Sequence, residues 1–177
     1  MNKPIKHVIL IGFMGTGKST VGKALAKNLR VSFVDTDQAV ESYEGVPISE
    51  IFATEGEPYF RKVESKVLEQ VLDYSDTQQV IATGGGIILA EKNRQLLDDH
   101  HVFLLQASIG EILSRIKKEQ HQRPLLGKEE EIQERITNLL TQRNALYEYS
   151  ADYIVNTDQK TVETIVGEIK DYLGVLI

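Results

Sequence analysis

Short apolar runs that stop at glycine or aspartate alternate along this chain with longer stretches whose apolar residues recur every three or four positions. His7–Ile11 (HVILI) is β-branched, apolar and cut off by Gly12, which predicts a buried strand. Val21, Leu25 and Leu29, with Ala24 and Ala26 between them, predict a helix from about Lys18 to Asn28. Ser32–Asp35 (SFVD) reads as a second strand. After Gly56, the stripe Phe60, Val63, Val67, Leu68 and Val71 predicts a long amphipathic helix to about Tyr74. Gln79–Ala82 and His101–Leu105 read as the third and fourth strands, with a helix over Glu91–His100 between them. Ile109, Ile112, Leu113 and Ile116 mark another helix. Asp152–Val155 (DYIV) reads as a fifth strand, and Val162, Ile165, Val166, Ile169 and Leu173 form a last helical stripe. Strands separated by helices pair in parallel through right-handed crossovers. The expected fold is therefore a three-layer α/β/α sandwich around a five-stranded parallel sheet. One polar stretch, residues 119–131 (EQHQRPLLGKEEE), carries Pro124 and Gly127, interrupts two helices and reads as a mobile segment.

Composition narrows the classes. At 177 residues the chain has room for one domain, expected to span 1–177. Its 41% hydrophobic and 26% charged residues exclude a disordered or fibrous chain. No apolar run approaches the ~18–20 residues of a membrane span, and Val8–Ile11 lacks the features of a signal peptide. The absence of cysteine excludes disulfides and thiolate metal sites and permits a cytoplasmic location. Twenty basic against 26 acidic residues leave a net charge of −6 with no basic tail, a poor match to nucleic acid. No heptad pattern points to a coiled-coil dimer, so a monomer is expected.

Residues 12–19 (GFMGTGKS) fit G-x-x-x-x-G-K-[ST], between an apolar strand and an amphipathic helix. Glycines at 12, 15 and 17 let successive N–H groups turn inward as an anion nest, and the helix N-terminus adds positive charge. Lys18 can reach β- and γ-phosphates, and the Ser19 hydroxyl can ligate Mg²⁺. The expected ligand is a nucleoside triphosphate with Mg²⁺. No N-K-x-D sequence for guanine occurs, and the chain is too short for a motor, so a kinase of a small acceptor is the economical reading.

A second polar set follows. Asp35 and Asp37 close the second strand, at the sheet edge where parallel α/β proteins bind ligands. Two apart in extended backbone, they would point the same way. One carboxylate could hold a water of the Mg²⁺ shell, and Asp35 is the best supplier because the third strand runs into glycines rather than a Walker-B aspartate. The other could take a proton from an attacking hydroxyl, though Asp37 could equally cap a helix starting at Gln38. Gly84–Gly86 after the third strand would let a ligand approach bare N–H groups. Arg61 near a helix start implies an anionic partner. The four histidines show no ligand spacing, and Tyr43, Tyr59, Tyr147, Tyr149 and Tyr153 read as partly buried packing residues.

GFMGTGKST, FVDTD, IFATEGEPYFRKVE, ATGGG, RPLL and QRNALY occur in this order, and with them the chain resembles the shikimate kinases over essentially its whole length. The resemblance implies the nucleoside monophosphate kinase fold and phosphorylation of the shikimate 3-hydroxyl by ATP, on the route to chorismate and aromatic amino acids. It implies that Asp37 binds shikimate hydroxyls and serves as base, and that Arg61 and Arg143 clamp the carboxylate. Gly84, Gly85 and Gly86 would line that pocket, within a substrate-binding segment of about 37–64. Gly15, Thr16, Gly17, Lys18, Ser19 and Thr20 would hold ATP, with Arg115 against the adenine. Arg123 would be the arginine of a lid over about 119–131. Ile48, Phe52 and Phe60 would give the pocket its apolar wall. The alternative is a kinase of another small carboxylate or phosphate-bearing acceptor on the same fold.

Overall fold

The computed structural model describes residues 6–73, 76–120 and 129–175. Five strands, β1 (Val8–Ile11), β2 (Ser32–Asp35), β3 (Gln79–Ala82), β4 (His101–Gln106) and β5 (Tyr153–Asn156), form one sheet in the order β2-β3-β1-β4-β5. Every pairing is parallel, with Val8 opposite both Val80 and His101. The helices are α1 (Lys18–Leu29), α2 (Thr36–Glu44), α3 (Ile48–Thr54), α4 (Glu57–Asp73), α5 (Glu91–Leu97), α6 (Ile109–Gln120), α7 (Glu129–Ser150) and α8 (Val162–Val175).

β1 lies at the centre with all four residues buried, which is why it reads as a continuous apolar run rather than an alternating one. Its alternate residues serve opposite faces. Ile9 and Ile11 join Ile81, Val102, Leu104, Leu68 and Tyr147 on one side. Val8 and Leu10 join Val80, Phe103, Val155, Leu25, Val166 and Ile169 on the other. A third cluster of Val40, Ile51, Phe60, Val63 and Val67 packs α2, α3 and α4 together beside the sheet. The three-layer expectation and all five strands hold.

Boundaries shift where a side chain takes over a backbone task. β5 starts at Tyr153 because Asp152 turns its carboxylate to the Val102 N–H, at 2.8 Å. α5 stops at Leu97, short of His100. α2 and α3 carry too few apolar positions for a visible period. α2 is started by the Asp35 carboxylate, which accepts from the N–H groups of Asp37 and Gln38, and ended by Gly45 at φ 74°.

Gly12 leaves β1 at φ 143°, and a Cβ there would sit inside van der Waals contact of the Leu105 carbonyl of β4. Backbone cannot yield as a flexible side chain can. Gly12→Ala is expected to lower unfolding stability by about 1–3 kcal/mol, the ordinary cost of overpacking, measured by urea denaturation. An unchanged midpoint would mean that the loop relaxes freely.

Opposite the ligand edge, the strand starts are tied by histidines. His7 Nδ1 accepts from the Gln79 N–H (3.2 Å), so Nε2 carries the proton that goes to the Leu72 carbonyl (3.2 Å). The His7 N–H donates to His100 Nδ1 at 3.2 Å. Burial, then repulsion from His7, pushes the His100 imidazole down to about 4, against attraction from Asp99 and with further repulsion from Lys6 and His101. A base with a depressed folded pKa adds stability above its unfolded value near 6.5, and that stability is lost as pH falls toward 4. Stability is therefore expected to fall between pH 6.5 and 4. In His100→Asn, which keeps an acceptor but cannot titrate, the fall should be shallower when unfolding is followed across that range.

Candidate active site

The phosphate loop connects β1 to α1 at the C-terminal edge of the sheet. Gly15 (φ 75°) and Gly17 (φ 92°) hold left-handed conformations that a side chain resists. The loop floors a cavity of about 620 Å³ lined by Gly15, Thr16, Gly17, Lys18, Ser19 and Thr20. Asp35, Asp37 and Gly85 form one wall, and Arg115, Lys118 and Lys160 stand on the other. Lys18 bends back so that Nζ donates to the Phe13 carbonyl at 2.8 Å, a carbonyl that also accepts from Thr16 Oγ1 at 2.8 Å. Burial pushes the Lys18 ammonium down to about 8, while Asp37 and Asp35 oppose that shift.

The two aspartates do not share an extended strand. Asp35 ends β2 and is itself the N-cap of α2; Asp37 stands in the first turn of that helix. The cap expected of Asp37 thus belongs to Asp35, and Asp37 is spared for the cavity. Asp35 Oδ2 accepts from Ser19 Oγ at 2.6 Å. Burial raises the Asp37 pKa, with Asp35 adding to it and Lys18 and Arg61 opposing.

The triple glycine also has a reason in packing. The Gly84 N–H is not bare, since it donates to Thr36 Oγ1 at 3.0 Å. What the glycines allow is close approach of side chains. A Cβ on Gly84 would lie 2.5 Å from Asp37 Oδ1 and 3.0 Å from Glu64 Oε1, and one on Gly86 would fall inside the Arg61 guanidinium. Asp37, Glu64 and Arg61 are therefore packed around one turn of bare backbone.

Arg61 is the fifth residue of α4 and has the anionic partners its position demands. Nη2 meets Glu57 Oε1 at 2.9 Å and Nη1 meets Glu64 Oε2 at 2.7 Å. Its guanidinium stands 5.1 Å from the Phe60 ring centroid. Phe60 is buried, and its ring lies 4.7 Å from that of Phe52, which stays 39% exposed. Ile48 packs in the third core cluster. Glu64 is only 2% exposed, and burial raises its pKa against the pull of Arg61. Arg143 reaches the same turn from α7, with Nη1 3.4 Å from the Gly85 carbonyl and its guanidinium 6.0 Å from the Phe13 ring centroid.

Two residues here escaped the reading of the sequence. Glu64 lies three positions after Arg61, a helical neighbour whose burial no pattern announced. Tyr147 lies four after Arg143, is 2% exposed rather than partly buried, and donates its hydroxyl to the Gly85 carbonyl. Burial pushes that hydroxyl up to about 12, so it is a donor throughout the neutral range. Tyr43, Tyr59 and Tyr149 are surface residues instead, Tyr149 being 76% exposed.

Arg115 lines the cavity as a tie between elements. Nη1 donates to the Gly15 carbonyl (3.2 Å) and Thr157 Oγ1 (3.1 Å), Nη2 to the Thr157 carbonyl (3.0 Å), and Nε to Glu111 (2.9 Å). Arg123 and most of the expected lid lie outside the described residues.

The family model for shikimate kinase matches residues 14–174. The shikimate kinase of Thermodesulfovibrio yellowstonii is 43% identical over 170 residues, 95% of each chain. That of Alkaliphilus oremlandii is 39% identical over 166 residues, 93% of this chain and 97% of its own. Among solved structures, shikimate kinase from Acinetobacter baumannii in complex with shikimate matches with a TM-score of 0.85 and 34% identity, covering 96% of this chain and 93% of that one. A gluconokinase from Sinorhizobium meliloti, at 16% identity and a TM-score of 0.59, shares the fold alone. By family model and full-length relatives alike, the chain belongs to the shikimate kinase family.

Proposed function

We propose that this protein transfers the γ-phosphate of ATP to the 3-hydroxyl of shikimate, giving shikimate 3-phosphate and ADP. The observation that carries the reading is the convergence of Arg61 and Arg143, from separate helices, on the Gly84–Gly86 turn beside Asp37 and the phosphate loop. Two guanidiniums at one turn call for an anion, and a planar carboxylate matches their donors bidentately. Membership of the family makes shikimate the acceptor that bears it.

Phosphoryl transfer proceeds through a loose transition state, so the protein's task is positioning and charge neutralisation. The loop N–H groups and Lys18 hold the phosphates, Lys18 leaving the Phe13 carbonyl for them. Arg61 and Arg143 fix the acceptor's carboxylate, and Asp37 orients the hydroxyl and takes its proton. The raised pKa of Asp37 suits a base that must hold the proton it receives. Arg115 and the adjoining cavity wall face the nucleotide. We place Arg123 over the phosphates within the segment of about 119–131, on the resemblance in sequence.

The residues also fit Mg²⁺. Ser19 Oγ and Asp35 are hard oxygen donors 2.6 Å apart at the loop. No cluster of three or more His, Asp or Glu forms a metal cage among the described residues. A magnesium ion typically keeps several waters and takes phosphate oxygens, needing only one or two protein ligands. Ser19 would hold it directly and Asp35 through water, and the ion supplies neutralisation of phosphate charge.

An ADP-release assay with shikimate, shikimate methyl ester, gluconate and a nucleoside monophosphate tests the reading. Turnover is expected with shikimate, and the ester should be a very poor substrate because its neutral group offers no charge for Arg61 and Arg143 to bind. Arg143→Ala should raise the shikimate KM by roughly 30-fold or more, on the scale of breaking a buried charge pair, with ATP KM little changed. Equal turnover of ester and acid would overturn the clamp.

Asp37→Asn separates binding from proton transfer. The amide can still hydrogen-bond a hydroxyl but cannot take its proton. ATP affinity should hold while kcat falls by about 10²-fold or more. A rise confined to the shikimate KM would reduce Asp37 to an orienting role.

A further inference from the structure

The Gly85 carbonyl receives two donors from one helix, Arg143 Nη1 and the Tyr147 hydroxyl, one turn apart on α7. We infer that Tyr147 is a positioning residue for the acceptor: its hydroxyl fixes the Gly85 carbonyl and so sets the turn on which Arg143, Arg61 and Asp37 are arranged. This rests on the reading of the site as an acceptor pocket for a carboxylate.

Three features support the role. First, the turn depends on a small set of hydrogen bonds. Glycines carry no side chains to pack, and three in succession give the backbone wide conformational freedom. Among the described residues its hydrogen-bonded anchors are few. The Gly84 N–H reaches Thr36 Oγ1, the Gly84 and Gly86 carbonyls accept from Ile87 and Leu89, and Gly85 accepts from α7. Second, Gly85 sits where a shift matters. A Cβ on it would lie 3.5 Å from the Met14 nitrogen and 3.6 Å from the Gly12 carbonyl of the phosphate loop, and 3.7 Å from the Tyr147 hydroxyl. Gly85 thus lies between the phosphate loop and α7. Third, Tyr147 is an accurate anchor. Its ring is buried in the core cluster with Phe13, Ile11 and Leu104, so the hydroxyl has little freedom to wander. Arg143, at 3.4 Å, makes the weaker bond to that carbonyl and is the group expected to leave it for a substrate carboxylate. When it does, Tyr147 keeps the turn in place.

The test is Tyr147→Phe, which preserves the ring and removes one donor. Tyr172→Phe is the control, since the Tyr172 hydroxyl also reaches a backbone carbonyl, that of Asp152, on the other face of the sheet. Shikimate and ATP KM, kcat, shikimate affinity by calorimetry without nucleotide, and thermal midpoint are measured for both variants and the wild type. Tyr147→Phe is expected to raise the shikimate KM and dissociation constant about tenfold, the scale of one lost hydrogen bond to a buried acceptor. Its ATP KM should stay within about twofold, and Tyr172→Phe should move neither constant. A lower thermal midpoint with unchanged shikimate constants would overturn the inference, as would an equal rise in both KM values or a variant that does not fold. A wild type inactive on shikimate would instead refute the proposed function, so the two failures are distinct.

Discussion

Buried charge must find a partner, and the ligand edge of this sheet is organised by that requirement. Arg61 meets Glu64 at 2.7 Å, Lys18 lies within the influence of Asp37 and Asp35, and Glu64 within that of Asp37 and Arg143. Removing Glu64 would leave the part-buried Arg61 short of a partner, a state that costs more than a surface pair is worth. The same balance prepares the site for anionic ligands. Lys18 donates to a loop carbonyl and Arg61 is shared between two glutamates. The carbonyl contact of Lys18 is weaker than a phosphate would make, whereas Arg61 is already oriented by carboxylates.

The charges can be gathered there because the sheet is parallel. All five strands end at one edge, so β1 delivers the phosphate loop, β2 delivers Asp35 and β3 delivers the glycine turn within reach of each other. The order β2-β3-β1 puts β3 between the other two, and the turn after it becomes the common neighbour of Asp37, Arg61 and the phosphate loop. A side chain at Gly84 or Gly86 would meet those charges directly. The local sequence Gly-Gly-Gly is thus a packing requirement set by charges that come from α2 and α4.

This explains what was legible in the residues alone. The phosphate loop is a local device, with glycines, helix start, Lys18 and Ser19 contiguous, and it could be read without a fold. β1, β3 and β4 were legible because burial on both faces leaves continuous apolar runs, and α1, α4 and α8 because their stripes are long. α2 and α3 were not, since nine- and seven-residue helices take their place from an Asp35 cap and from packing on α4. Glu64 and Tyr147 were missed for a related reason. Their importance lies in contacts with Arg61 and with the Gly85 carbonyl, and neither contact has a signature in composition or period.

The exchange of roles between the two aspartates shows how fine that limit is. From sequence, Asp37 has two plausible tasks, capping a helix or serving the ligand, and they compete for one carboxylate. In the fold, Asp35 stands one residue before α2 and satisfies its first N–H groups while also accepting from Ser19. Capping therefore falls to the residue that the strand can hold still. Asp37, in the first turn of the helix, is left with its carboxyl free to face Lys18 and the glycine turn. A shift of two residues in the end of β2 would bring Asp37 to the cap position and put the base in the cap. The short strand SFVD, fixed in register by pairing Asp35 with Ala82 of β3, is what prevents it. A backbone register thus decides which of two identical side chains is placed to take part in chemistry.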